Sequence, residues 1–423
     1  MHRCALVSVS LLQLLGWLGQ AKAGPIMISV NTTKADDNGV LNVATGFTID
    51  TGTNAKPTTS FKTPDGQTYN GRTVTQANGP PIVAFDLIGL SIQKNVDLSI
   101  TGMNPIALVT SEDINIFGNL DASGQPADGN NGGAGGAGGG SGGGASKDGS
   151  AAPGVNTGQG KAGGNNIIPG GGGGGGYGGK GGAGTTAGQA VGNTQGGAGG
   201  AAYGQSDLSV LLGGGGGGGA KGAMAAGGGG GGGAILLFSE GTMTISGSVS
   251  ANGGRSSILN FSYGGGGGAG GSILLEDCRA GDIQLTGKVF ARGGNGGDST
   301  TMAGAGGGGG GGRVYIGDPT VDLTRVFVDG GRGGDNSGAI KPENGTMGTK
   351  TLGMSEDCVP EPSSYVLLIA GIGILAGYRL KKGAPRFRRL SGDGTSPCTR
   401  PDETGRSERR AGTSRRRSRS CPL

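Results

Sequence analysis

From residue 124 to 233 the chain is dominated by glycine, and further bursts follow at 264–271, 304–312 and 330–338, so that 106 of 423 residues lack a side chain. Glycine costs more backbone entropy to order than any other residue and brings nothing to bury. Such a segment folds only if its backbones satisfy one another. Two arrangements are open: a flexible Gly/Ser-type coil, or polyproline II strands packed so closely that peptide groups hydrogen-bond between them. Runs as pure as GGAGGAGGGSGGG at 132–144 favour the ordered layer, because spacing alone requires no such purity. A structureless loop of this length is also uncommon within a compact domain.

Between the glycine bursts the chain repeats itself. Segments 105–124, 233–254, 271–294 and 312–331 share one plan: four or five apolar residues, a polar turn, an alternating strand such as 243–245 or 283–285, and a second alternating strand such as 249–251, 289–291 or 326–328. Ser248, Lys288 and Arg325 hold equivalent places, 40 and 37 residues apart. A fixed period of this size indicates stacked supersecondary units, and period-two alternation reads as strands. No unit has enough apolar side chains for a core of its own, so Ile235, Leu237, Ile245, Val249, Ile273, Leu275, Ile283, Leu285 and Val289 must be buried between neighbouring units.

The predicted fold is all-β: a right-handed parallel β-helix or related β-solenoid, with long glycine-rich insertions where one turn hands over to the next. Residues 82–102 read as an earlier turn. This divides the chain into an N-terminal β region with the first turns (24–124), a glycine-rich insertion (125–232) and the repeated turns (233–354). A β-sandwich with a disordered or polyglycine insertion is the alternative, because a period does not fix sheet topology.

The two ends read as addresses. Met1-His2-Arg3, an apolar stretch over 4–18 and Ala21-Lys22-Ala23 before Gly24 form a signal peptide, with cleavage after Ala23 and export of the remainder. That cleavage removes His2 and Trp17, the only histidine and the only tryptophan. No imidazole is then left for a Ser-His-Asp triad, a Cys-His pair or a histidine zinc site. Cys278 and Cys358 remain in the exported part, where an oxidising compartment would let them pair. Residues 24–378 hold 18 Lys+Arg and 25 Asp+Glu, net −7, whereas residues 379–423 carry net +10. The positive-inside rule places such an acidic body outside the membrane and Arg379 onward inside. In an exported chain the basic run at 415–419 does not point to nucleic acid.

Several apparent motifs dissolve on inspection. GxGxxG recurs too often in this glycine to signal a dinucleotide. GGNGGD at 293–298 and GGRGGD at 330–335 match the core of a calcium-binding repeat, which makes Asp298 and Asp335 calcium candidates. Their spacing is 37 residues, however, where that repeat recurs about every nine. Carboxylates on the repeats, Asp277, Asp282, Asp318 and Asp322, form no pair that the sequence can place. A catalytic role as a secreted polysaccharide lyase or hydrolase therefore stands behind a non-enzymatic structural or adhesive one, with no cofactor.

Near the C-terminus Val359-Pro360-Glu361-Pro362 precedes an apolar span at 365–378 and a basic stop of Arg379, Lys381 and Lys382. The prolines keep the approach extended, and 14 apolar residues fall short of the ~20 of a stable spanning helix. In its order of tripeptide, short span and basic stop, the segment resembles the PEP-CTERM sorting signal of Gram-negative bacteria that make exopolysaccharide. The resemblance implies recognition by a membrane-embedded exosortase, a transient transmembrane helix over 365–378, and cleavage at or near Pro360-Glu361-Pro362. It also implies release or attachment at the cell surface, with a matrix or biofilm role. The basic tail at 383–423 departs from that pattern, in which the chain ends soon after the basic cluster.

Overall fold

The computed structural model describes residues 25–353 apart from positions 27, 29–30, 32–34, 36–37, 165–168, 187–195, 223, 258–262, 279–280, 300–303 and 337–340. Over these residues the protein is essentially all-β. The chain begins with β1 (Val40–Val43) and β2 (Phe47–Asp50). Two antiparallel hairpins follow, β3 (Gly52–Thr53) with β4 (Lys56–Pro57) and β5 (Ser60–Lys62) with β6 (Thr68–Asn70), and then β7 (Arg72–Val74). From there each pass gives three strands: β8 (Ile82–Leu87), β9 (Gly89–Ile92) and β10 (Asp97–Thr101), then β11 (Ile106–Thr110), β12 (Ile114–Ile116) and β13 (Asn119–Asp121). After the long glycine region come β14 (Ala234–Ser239), β15 (Met243–Ile245) and β16 (Ser248–Ser250), followed by β17 (Ser272–Asp277), β18 (Ile283–Leu285) and β19 (Lys288–Phe290). The last strands are β20 (Arg313–Ile316), β21 (Val326–Phe327) and β22 (Thr349–Leu352).

Three sheets collect these strands in turn order: β1-β9-β12-β15-β18, β2-β10-β13-β16-β19-β21, and β22-β20-β17-β14-β11-β8-β7. All pairings in them are parallel except β7 with β8. A sandwich of antiparallel sheets is thereby set aside. Like residues stack from turn to turn, as in Phe85↔Leu108↔Leu237↔Leu275↔Ile316 and Leu98↔Leu120↔Val249↔Val289↔Val326. All nine aliphatic residues assigned from the repeats to a shared interior lie in one buried cluster.

The sheets differ in a way the repeat had encoded. β8, β11, β14 and β17 are buried at every position, so they read as continuous apolar runs. The short strands of the other two sheets alternate buried and accessible, as in β12 and β15. One face of the sheet that holds β8, β11, β14 and β17 joins the interior, while its other face, with Ala84, Val109, Leu236, Phe238 and Leu274, is packed against Ile28, Leu208 and Leu211. The short apolar stretch at 207–212, embedded in the glycine region, is thus the cover of that sheet. Gln76 fixes it there, its Oε1 accepting from Leu211 N at 2.7 Å and its Nε2 donating to Leu211 O at 3.1 Å. At the N-terminal end the hairpins lay Phe61 between Tyr69 (5.1 Å, stacked) and Phe85 (4.8 Å, edge-on).

The glycine region is a hydrogen-bonded lattice. Along 214–220 the amides turn to three neighbours in rotation. Gly214, Gly217 and Ala220 donate to Gly232, Gly229 and Ala226; Gly215 and Gly218 donate to Gly176 and Gly173; Gly216 and Gly219 donate to Ser150 and Lys147. The carbonyls receive from three further segments: Gly214 and Gly217 from Gly140 and Gly143, Gly216 and Gly219 from Gly160 and Gly163, Gly215 and Gly218 from Ala269 and Gly266. Three residues per turn is the polyproline II period, and six neighbours around one strand is hexagonal packing. Such spacing leaves no room for a side chain: a Cβ on Gly217 would lie 2.3 Å from Gly266 O. The bursts at 264–271 and 304–312 belong to the same lattice, each running directly into β17 or β20. Glycine strands of successive turns are linked at every third residue, as in Gly264, Gly267 and Gly270 donating to Gly304, Gly307 and Gly310.

Candidate functional site

Where a strand of the β2-containing sheet passes into the glycine layer, the chain changes from a two-residue to a three-residue period. From Asn252, Arg292 and Asp329 onward the outward positions come at every third residue, with glycine pairs between them, as in 252–255, 292–298 and 329–335. Burial follows the same period: 329–335 runs exposed, half-buried, buried and repeats. GGNGGD and GGRGGD therefore mark the outer face of polyglycine strands. Asp335 N donates to Asp298 Oδ1 on the turn below at 2.6 Å, and Lys341 pairs with Asp335 at 3.1 Å. Among the described residues no group of three or more metal-ligating side chains gathers, at these two aspartates or elsewhere.

These outward positions line an open groove of about 810 Å³. Phe290 and Phe327 stack on adjacent turns at 5.2 Å, and the Arg292 guanidinium lies over both, 5.1 and 4.6 Å from their centroids. Arg292 also pairs with Asp329 on the next turn at 3.2 Å. Asparagines tie successive turns together, Asn252 Oδ1 accepting from Arg292 N and Asn295 Oδ1 from Arg332 N, each at 2.9 Å. Arg255, Asn295 and Arg332 hold equivalent places on three consecutive turns, since Ser256 N donates to Asn295 O and Gly296 N to Arg332 O. Sequence reading missed this groove. Its signal was available in NGGR, RGGN and DGGR, which align when the repeats are placed in register.

The carboxylates of the repeats are brought together after all. Asp277 and Asp318 are both fully buried. Asp318 bridges two turns, accepting at Oδ2 from Gly281 N (3.1 Å) and Ile283 N (3.4 Å) of the preceding turn and at Oδ1 from Thr320 of its own. Burial, then the neighbouring Asp318 and Asp282, pushes the Asp277 carboxyl up to about 6. Asp322 instead caps a single 3-10 turn, Leu323–Arg325, and hydrogen bonds from Thr324 hold it below the usual carboxylate range.

A carboxyl whose folded value is raised contributes stability that is complete below its unfolded value near 3.8 and is lost as pH rises through about 6. Between pH 4 and pH 7 the protein is therefore expected to lose stability on the order of 2–3 kcal/mol. Asp277→Asn should flatten that part of the profile, read by denaturant midpoints at each pH. A slope equal to that of the unmodified protein would show that Asp277 is not its source.

Cys278 is disulfide-bonded; its predicted partner Cys358 lies outside the described residues. So do the signal-cleavage residues Ala21, Ala23 and Gly24, the sorting motif Val359, Pro360, Glu361 and Pro362, and the basic stop Arg379, Lys381 and Lys382. Among the described residues no helix is long and apolar enough to cross a membrane, and the predicted span at 365–378 is not among them. Comparison of the chain with protein-family models, with curated proteins and with solved structures finds no match in any of the three.

Proposed function

We propose that this is a non-enzymatic structural or adhesive protein of the cell surface or extracellular matrix, exported by its signal peptide. Its body is a right-handed parallel β-helix with a polyglycine bundle fused along one side. Three parallel sheets that each gain one strand per turn support the β-helix reading. The observation that carries the functional reading is the fusion of two lattices in one body, stacked β-turns and hexagonally bonded glycine strands. Both are held largely by backbone hydrogen bonds and display side chains in columns along a long face. That construction yields a rigid, repetitive surface rather than a converged centre.

In this reading an exosortase cuts the precursor at or near Pro360-Glu361-Pro362 after the span at 365–378 has held it briefly in the inner membrane, and an exopolysaccharide matrix is the body's partner. Intact mass spectrometry of protein recovered from the cell surface and medium tests this. A species beginning near Gly24 and ending near Pro360-Glu361-Pro362 is expected. Recovery of a species that retains 365–423 would overturn the sorting step.

A further inference from the structure

The groove carries a charge opposite in sign to that of the body around it. Residues 24–378 have net −7, yet the groove lining sets Arg255, Arg292 and Arg332 against one carboxylate, Asp329. Arg292 engages Asp329. Arg255 and Arg332 are exposed and form no ion pair among the described residues. A second depression of about 400 Å³ shares Arg332 and runs past the Asp335–Lys341 ion pair, so the channel continues along the same face with Arg332 as its unpaired charge. Between the column Arg255, Asn295, Arg332 and the column Asn252, Arg292, Asp329 the floor is glycine backbone whose amides are already bonded, Gly253 N to Arg292 O and Gly294 N to Gly268 O. A flat floor without side chains suits the broad face of a ring better than a projecting chain.

Spacing selects among polyanions. Arg255 and Arg332 are two turns apart with Asn295 between them, which at the usual strand separation is ~10 Å. The geometry points to a linear acidic polysaccharide lying across the turns, with a carboxylated sugar at every second ring. Its carboxylates meet Arg255 and Arg332, and the intervening neutral ring lies beside Asn295. Nucleic acid fits less well, because phosphates recur every ~3.4 Å along each strand of a duplex. The aromatic faces on which bases would stack are also covered by Arg292. This assignment rests on the surface or matrix role proposed above and names the polymer class that role would engage.

The test is isothermal titration of the purified full chain at low salt, where exposed charges act at full range. Four probes are used: hyaluronate, with a uronate at alternate rings; polygalacturonate, with one at every ring; neutral dextran; and poly(dT). Hyaluronate is expected to bind at least ten-fold more tightly than polygalacturonate, and dextran not at all. Arg255→Gln combined with Arg332→Gln should weaken hyaluronate at least ten-fold, whereas Lys147→Gln, outside the groove, should leave it unchanged. Thermal melts followed by circular dichroism check that each variant is folded. Hyaluronate affinity unmoved by the double variant, poly(dT) binding as tight, or no binding of any polyanion would each overturn the assignment. A chain found at the cell surface that fails this titration leaves the surface role standing without this ligand. A chain that passes but is retained in the cytoplasm on fractionation leaves the groove assignment standing without the surface role.

Discussion

Alanine at Gly217 is expected to destabilise the protein by about 3 kcal/mol or more, near the upper end of what overpacking normally costs. The added Cβ would lie 2.3 Å from Gly266 O, 2.6 Å from its carbonyl carbon and 2.7 Å from Gly267 O. All three are backbone atoms and cannot rotate away. To make room, the strand at 266–269 must withdraw from 214–220, which strains the bonds that Gly266 and Ala269 donate to Gly218 and Gly215. Gly144→Ala is the matched control, since the nearest atom to its Cβ would be Asn130 O at 3.3 Å. That variant should cost less than about 1 kcal/mol, within the range of well-tolerated substitutions. Midpoints of thermal or denaturant unfolding separate the two. Equal losses would mean that the glycine strands do not pack as a lattice in solution.

Phe85→Ala is expected to cost about 3–5 kcal/mol, the usual range for deleting a buried aromatic side chain. Phe85 is fully buried, sits in the column Phe85↔Leu108↔Leu237, and receives the edge-on ring of Phe61 at 4.8 Å. Its loss therefore opens a cavity in the stack and also removes the anchor of the hairpin that carries Phe61 and Tyr69. Two measurements follow. The denaturant midpoint should fall with little change in slope, and limited proteolysis should begin within 53–70. Unchanged resistance of that segment would show that the hairpins hold to the body without Phe85.

The turns of the stack were legible in sequence because each strand's period reflects what its two faces meet. Ser248, Lys288 and Arg325 were placed as equivalent from spacing alone, and the structure pairs Ser248 with Lys288 and Val289 with Val326 in the same sheet. What the repeat period could not supply was sheet topology; the signal of parallel pairing lay in the continuous apolar runs of β8, β11, β14 and β17. The hairpins at 52–70 gave short, weakly apolar strands with no repeat to align them. Leu208 and Leu211 escaped notice for a different reason: they lie in a low-complexity context, and only the apolar outer face of β14 and β17 reveals why aliphatic residues are needed there. The groove was hidden because its period is three, while strands were sought at two. The approach of Asp277 to Asp318 depends on the end of β17 and the end of β20 coming together on successive turns, on which composition is silent.

The three-residue beat of the glycine lattice also bears on how such a chain can change length. In a lattice where every third residue faces outward, adding or removing three residues keeps each remaining side chain on its own face and merely lengthens a strand by one step. A change of one or two residues turns Arg332 or Asn295 toward positions where neighbouring backbones leave no space, and brings glycine to the surface in their place. Viable insertions and deletions in the glycine strands should therefore occur in triplets of residues, so that the lattice acts as a second reading frame imposed on the gene by packing.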